Sequence, residues 1–182
     1  LSEKGHLPAG HSPLMYHDDV CIIGHLWDIF NKNAAQIQAD FTLMTHGRKS
    51  QPIDDPHTKA YRTENIFLEE GATVRAAILN AEYGPIYLGR HSEVGEGAVI
   101  RGSFALGEHA VVSMGAKMRG DISAGPYSKI GGEVGNSVIF GYSNKAHDGY
   151  MGNTVVGEWC NFGADTNTSN LKNTYDEIKC WS

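Results

Sequence analysis

The chain of 182 residues has few cysteines, few aromatic residues and a deficit of positive charge. Cys21, Cys160 and Cys180 match no zinc or disulfide spacing, which predicts reduced thiols in a soluble cytoplasmic protein. Its 15 Lys+Arg against 21 Asp+Glu give a formal net charge of −6, which argues against nucleic acid or an anionic membrane as a partner. No apolar run approaches the roughly 20 residues that span a bilayer.

Residues 1–24 are too poor in apolar positions to form a core of their own. The chain begins with Leu1 and shows no basic-then-apolar signal pattern, so we expect this segment to be the tail of a preceding domain that this chain does not contain. The spacing of its three histidines suits neither a helix face nor a strand face. We expect solvated loop side chains at His6, His11 and His17 rather than metal ligands.

Apolar residues then recur at three- and four-residue steps, which predicts an amphipathic helix from His25 to about Phe41. Asn33 and its polar neighbours fall largely on the predicted solvent face. Two prolines within residues 47–56 end all periodicity. We therefore assign residues 25–65 to a linker whose helix packs on a neighbouring domain.

The next feature is a six-residue repeat, in which an apolar or small residue occupies every sixth position and glycine follows it in five of eight hexads. The fifth position of the hexad is often small, as at Ala98 and Ala110. Neither a helical nor a strand period produces this pattern, whereas a hexapeptide solenoid does. It predicts an all-β fold, a parallel β-helix over residues 66–182. The predicted inward residues are Leu88, Val94, Ile100, Leu106, Val112, Met118, Ala124 and Ile130.

The six-residue register is lost twice, between Leu68 and Leu88 and between Ile130 and Val156. Each of these intervals exceeds a whole number of hexads by two positions. We expect the extra residues to leave the solenoid as loops, where binding sites of solenoid proteins often lie. The second interval contains His147, whose imidazole can accept a proton near neutral pH and is our candidate catalytic residue.

Two other histidines, His91 and His109, lie three hexads apart, so they should stack on adjacent coils and point outwards. The pattern contains no close histidine pair, and we predict no metal site.

The segment from Glu133 onwards contains His147, Tyr150 and Gly152 in the spacing His-x-x-Tyr-x-Gly. With Glu133 at the matching distance before the histidine, this segment resembles the acetyltransferase half of bifunctional GlmU-type enzymes. Residues 161–164 and Asn170 match the Asn-x-Gly-Ala pattern and the asparagine that follow it. The strings at residues 157–161 and 163–167 are similar to those of sugar nucleotidyltransferases in this group, and the resemblance covers residues 20–182.

The resemblance implies a left-handed β-helix that transfers an acetyl group from acetyl-CoA to a hexosamine-1-phosphate. His147 would be the catalytic base, and a backbone N–H of the turn at residues 161–164 would stabilise the oxyanion. It further implies a homotrimer in a sugar-nucleotide-forming enzyme, with Mg²⁺ needed only by a nucleotidyltransferase domain that this chain lacks. The implied substrate-binding residues are Glu133, Tyr150, Asn161, Asn170 and Lys179, and the implied acetyl-CoA-binding residues are Ala164 and Lys172.

The chain departs from this family at two positions. Gly135 stands where those enzymes have a phosphate-binding lysine, and Asp165 adds a carboxylate near a site for anionic ligands. Lys172 or Lys179 is the predicted substitute for the missing lysine. Two alternatives stay open: a structural trimerisation module of a sugar-1-phosphate nucleotidyltransferase with a decayed acetyltransferase site, and an acyltransferase for another amino sugar.

Overall fold

The computed structural model describes residue 17, residues 20–169 and residues 171–177. Helix α1 spans Leu26–Thr45, and a 3₁₀ turn lies at Thr63–Asn65. Fifteen short strands follow, joined by turns. They are β1 (Lys59–Tyr61), β2 (Ile66–Leu68), β3 (Thr73–Val74), β4 (Ile78–Asn80), β5 (Ile86–Leu88), β6 (Glu93–Val94), β7 (Val99–Arg101), β8 (Phe104–Leu106), β9 (Val111–Val112), β10 (Lys117–Met118), β11 (Ile122–Ala124), β12 (Lys129–Ile130), β13 (Glu133–Ile139), β14 (Asn144–Lys145) and β15 (Tyr150–Val156).

The strands form three stacked columns, and each strand pairs in parallel with its counterpart on the adjacent coil. One column contains β3, β6, β9, β12 and β14. The other two begin at β1 and β2 and merge at β13, a long strand that pairs with both β10 and β11. The architecture is the predicted left-handed parallel β-helix, with about five turns.

The core lies inside this solenoid and follows the predicted six-residue register. All eight predicted inward residues from Leu88 to Ile130 are buried, with at most 3% of their surface exposed. The small fifth residues, such as Ala98 and Ala110, are equally buried and leave room for the aliphatic side chains. Each buried aliphatic side chain contributes about 1.5–3 kcal/mol, so the column supplies much of the stability of the fold.

The first strand of the solenoid lies ahead of residue 66, because β1 pairs with β4. The first loss of register is a true insertion. Residues 81–85 connect β4 to β5, whereas only residues 102 and 103 connect β7 to β8 on the next coil. The predicted loop is therefore present.

The second loss of register is a contraction, and the predicted loop there is wrong. Lys129 pairs with Val111 on one side and with Asn144 on the other, so the later coil is the shorter one by three residues. The corner between β12 and β13 consists only of Gly131 and Gly132, and β13 continues as one strand through the next corner, at Asn136.

The inward positions show the same contraction. The interval from Ile130 to Val156 contains five inward steps, so it falls short of five hexads rather than exceeding four. The inward residues of these steps are Val134, Ile139, Lys145, Met151 and Val156.

Helix α1 packs on the outside of this β-helix, against β8, β11, β13 and β15. Asn33, predicted to face solvent, is buried: its Nδ2 donates to the Asp121 carbonyl at 2.9 Å, and its Oδ1 accepts from Ser123 Oγ at 2.7 Å. The helix thus meets the polar outer side of the coils, where an amide finds hydrogen-bond partners that an aliphatic residue lacks. No helix in the described part of the chain is long and apolar enough to cross a membrane.

A buried carboxylate joins the end of α1 to the first coil. Glu69 accepts from Arg48 Nη2 at 2.6 Å and from the Tyr87 hydroxyl at 2.6 Å. The hydrogen bond from Arg48 lowers the pKa of Glu69, and burial together with Glu69 raises the pKa of Tyr87 to about 12.

Candidate functional site

His147 lies in the corner at residues 146–149 that joins β14 to β15, and its side chain is exposed. This corner is as long as the corner at residues 113–116 on a regular coil. The predicted placement of His147 in an inserted loop is therefore wrong. The two-residue corner beneath it, Gly131 and Gly132, is the unusual one.

The turn at residues 163–166 stacks on this corner one coil later. Asp165 N–H donates to the Asp148 carbonyl at 2.9 Å, and the bridges on either side of the corner set His147 next to Ala164, its equivalent on the following coil. Within the described residues, the N–H groups of Gly163 and Ala164 donate no hydrogen bond, and both residues are exposed. Such N–H groups beside an exposed imidazole are suited to stabilise an oxyanion that forms near a general base.

Glu133 and Tyr150, two predicted substrate-binding residues, are register partners on β13 and β15. Arg119 Nη1 donates to Glu133 Oε1 at 3.0 Å. Arg119 also lies over Gly135: a Cβ on that glycine would stand 3.4 Å from the Arg119 Cβ. The aliphatic part of the Arg119 side chain therefore covers the position where the resembling family has a lysine, and its guanidinium binds Glu133.

Arg119 and Tyr150 line a shallow cavity of about 220 Å³ at the next corner. Asn136 Nδ2 donates to Asn153 Oδ1 at 2.7 Å across two coils of this corner. Burial raises the pKa of Asp121, another residue of the wall. The full lining comprises Arg119, Gly120, Asp121, Gly135, Asn136, Tyr150 and Asn153.

The sequence motif suggested that His147 and Tyr150 belong to one site, but the structure places their side chains apart. The Tyr150 ring leans along β15 over Gly152, towards the corner at Asn153, and His147 does not line the cavity that Tyr150 lines. Within one chain His147 and the polar cavity occupy different corners of the same coil.

The other predicted site residues lie elsewhere or outside the described residues. Asn161 is exposed and bridges to Asn144, and Lys172 is exposed and does not line the cavity. Asn170 and Lys179, like Cys180 and the histidines His6 and His11, lie outside the described residues.

Two residues that the sequence analysis missed contribute to these corners. Arg119 precedes Glu133 by less than a coil of three hexads, and only the contracted pairing of β10 with β13 brings it over Gly135. Lys145 occupies an inward core position and donates from Nζ to the His147 carbonyl at 2.6 Å. The sequence does contain a signal for Lys145. It lies six residues after Ile139, at a position where the repeat places aliphatic residues.

The predicted stacking of His91 on His109 is confirmed, with ring centroids 5.1 Å apart. The stack continues through Tyr127, Tyr142 and Trp159 with centroid spacings of 4.8 Å to 5.4 Å. All five residues have φ between 49° and 59°, so one left-handed corner position recurs on every coil. Among the residues that the structure describes, no group of three or more His, Cys, Asp or Glu side chains could hold a metal ion.

Residues 3–49 match the model of a family described as sugar nucleotidyl transferase. The match includes α1 and stops before the β-helix. No curated protein matches the chain. The family match and the left-handed β-helix together support a transferase related to sugar nucleotides.

Proposed function

We propose that this chain is the acyltransferase part of a sugar-nucleotide-forming enzyme, and that it transfers the acetyl group of acetyl-CoA to the amine of a hexosamine-1-phosphate. The observation that carries the proposal is the stacking of the exposed His147 corner on Gly163 and Ala164, whose N–H groups have no acceptor among the described residues. The match to a sugar nucleotidyl transferase family and the motif shared with GlmU-type enzymes supply the substrate class.

In this reaction the His147 corner and the turn with Gly163 and Ala164 have different roles. The acceptor amine attacks the thioester carbon, a C–N bond forms, and His147 takes the proton that the nitrogen loses. The N–H groups of Gly163 and Ala164 donate to the carbonyl oxygen as it becomes negative. The C–S bond then breaks, and the imidazolium returns the proton to the leaving thiolate, which releases CoA and regenerates the neutral base.

The cavity at the neighbouring corner fits an acidic sugar. Arg119 offers a planar set of donors that suits a phosphate, and Glu133 and Tyr150 can bond sugar hydroxyls or the amine. Because His147 lies at a different corner of the chain, we propose that the acceptor site is completed between subunits of a homotrimer. Light scattering on the full-length protein would then give three times the chain mass, and a monomeric mass would contradict this arrangement.

The experiment compares the full-length parent with His147→Ala and with His57→Ala, which removes another exposed histidine. The assay follows free CoA released from acetyl-CoA with glucosamine-1-phosphate and with a panel of other amino-sugar phosphates. We expect His147→Ala to lower kcat by about 10²–10⁴, the usual contribution of a positioned general base, and His57→Ala to have no effect. Equal rates in parent and His147→Ala would remove the catalytic role of His147.

A structural trimerisation module is the second candidate, because Glu133 is already paired with Arg119 and the described residues offer the His147 imidazole no hydrogen-bond partner to orient it. A full-length protein that transfers nucleotides but releases no CoA with any acceptor of the panel would favour this candidate. Activity only with a different amino sugar would instead retain the mechanism and change the substrate.

A further inference from the structure

Lys145 is a lysine in the interior of the solenoid. It pairs in register with Ile130 and continues the inward column that Val94 and Val112 form on earlier coils. Only 4% of its surface is exposed. Because lysine is almost never fully buried without a partner, its contacts should explain why it replaces an aliphatic residue.

The Lys145 ammonium lies between two corners of unequal length. Its Nζ donates to the His147 carbonyl at 2.6 Å and to the Gly131 carbonyl at 3.2 Å. Within the described residues, neither carbonyl accepts a backbone N–H. The short corner at Gly131 lies under the longer corner at His147, so this mismatch leaves two carbonyls that an aliphatic side chain could not satisfy.

We propose that Lys145 is a positioning residue for His147: by bonding the carbonyl of the residue that bears the imidazole, it holds this corner in register with the turn at Ala164. The catalytic part of this inference rests on the function proposed above. The structural part does not, because the hydrogen bonds are present without any substrate.

Lys145 can donate hydrogen bonds to both carbonyls whether or not its amine is protonated. Burial lowers the pKa of Lys145, and the nearby Asp148 carboxylate opposes that shift. A neutral lysine amine still carries two N–H groups, so both carbonyls keep a donor in either protonation state.

The test uses full-length protein with Lys145→Met, which keeps the length of the side chain but removes its donors. Lys129→Met is the matched control, since Lys129 is the exposed neighbour of Ile130 and loses the same charge. Lys145→Arg restores donors and serves as the rescue variant. A thermal melt of each variant shows whether the fold is intact.

Amide hydrogen exchange is the first readout and needs no activity. We expect exchange of the hydrogen-bonded amides of this stack, Ala146 and Asp165, to rise at least about tenfold in Lys145→Met, to stay unchanged in Lys129→Met and to recover partly in Lys145→Arg. Unchanged exchange in Lys145→Met would overturn the proposal outright.

Steady-state kinetics are the second readout. We expect Lys145→Met to lower kcat by about 10²-fold through misplacement of the base, with KM for both substrates nearly unchanged and the rising limb of the pH profile retained. An unchanged kcat despite a loosened corner would overturn the positioning role. A parent without activity would instead contradict the proposed function, while the exchange data still decide whether Lys145 holds the corner.

Discussion

The regular coils and the contracted coils of this β-helix differ in both core and surface. From Ile86 to Ile130 the coils repeat every three hexads, and their inward positions are apolar or small. After Ile130 the strand pairings advance by less than three hexads, and Lys145 enters the core. His147, Glu133 and Tyr150 all lie on the contracted coils. The comparison teaches that polar groups gather where the repeat shortens, because a shortened corner exposes backbone groups and brings side chains of adjacent coils together.

The largest effect is expected for a charge placed in the regular core. Ile100→Asp buries an unpaired carboxylate at a position with no exposed surface, so it should cost several kcal/mol and unfold a domain of ordinary stability. Val99→Asp, on the outer side of the same strand, is the control and should fold. Thermal unfolding measures both, and a parental melting temperature for Ile100→Asp would show that the inward register is misassigned.

Alanine substitutions at equivalent glycines should have a smaller effect on stability, and they compare the packing of the contracted and the regular coils directly. A Cβ on Gly131 would clash with the Ala146 carbonyl oxygen at 2.0 Å, whereas the nearest atom to a Cβ on Gly95, at the equivalent place on a regular coil, is 2.9 Å away. Gly131→Ala should therefore destabilise by roughly 1–3 kcal/mol, and Gly95→Ala by less, because overpacking forces the backbone apart.

Urea unfolding of these two glycine variants gives the comparison. Gly157→Ala is a further control, since a Cβ there meets nothing within 4 Å. Equal losses at Gly131 and Gly95 would mean that the contracted coil is no tighter than the regular ones.

The smallest effect is expected where α1 meets the first coil, and it depends on pH. Because the pKa of Glu69 is lowered from its ordinary 4.5, the Glu69 carboxylate stabilises the fold fully above 4.5 and loses this contribution as the pH falls through the lowered value. Glu69→Gln should cost about 1–2 kcal/mol at pH 7 through the weakened bond with Arg48. The difference from the parent should shrink as the pH falls from 4.5 through the lowered pKa of Glu69.

Urea unfolding between pH 7 and pH 3 tests this prediction, with the exposed neighbour in Glu70→Gln as the control. A gap between parent and Glu69→Gln that stays constant down to pH 3 would exclude ionisation of Glu69 as its cause.

The sequence predicted the solenoid well because its core is one-dimensional. Each inward residue of the regular coils is identified by counting six from the last, and Leu88 to Ile130 are buried as predicted. The same count predicted that His91 stacks on His109. The count also reaches Tyr127, three hexads after His109, but it misses Tyr142 and Trp159, because these two follow the contracted coils.

The candidate site was predicted less completely. His147 and Ala164 were both named from a motif, and the structure brings them together. The motif could not reveal Arg119, because its contact with Glu133 depends on a coil that has lost residues. It also suggested a single site for His147 and Tyr150, whose side chains the structure directs to different corners.

The sequence alone determined the parallel β-helix and the identity of its regular core, because a six-residue repeat of inward residues is a local property that counting detects. Only the tertiary structure decided that the second loss of register is a contraction, that Asn33 is buried against Asp121 and Ser123, and that Lys145 replaces an aliphatic residue in the core. The physical reason is that the same shift in the hexad register can arise from inserted residues or from missing residues. The two are distinguished only when the backbone of one coil must hydrogen-bond to the next.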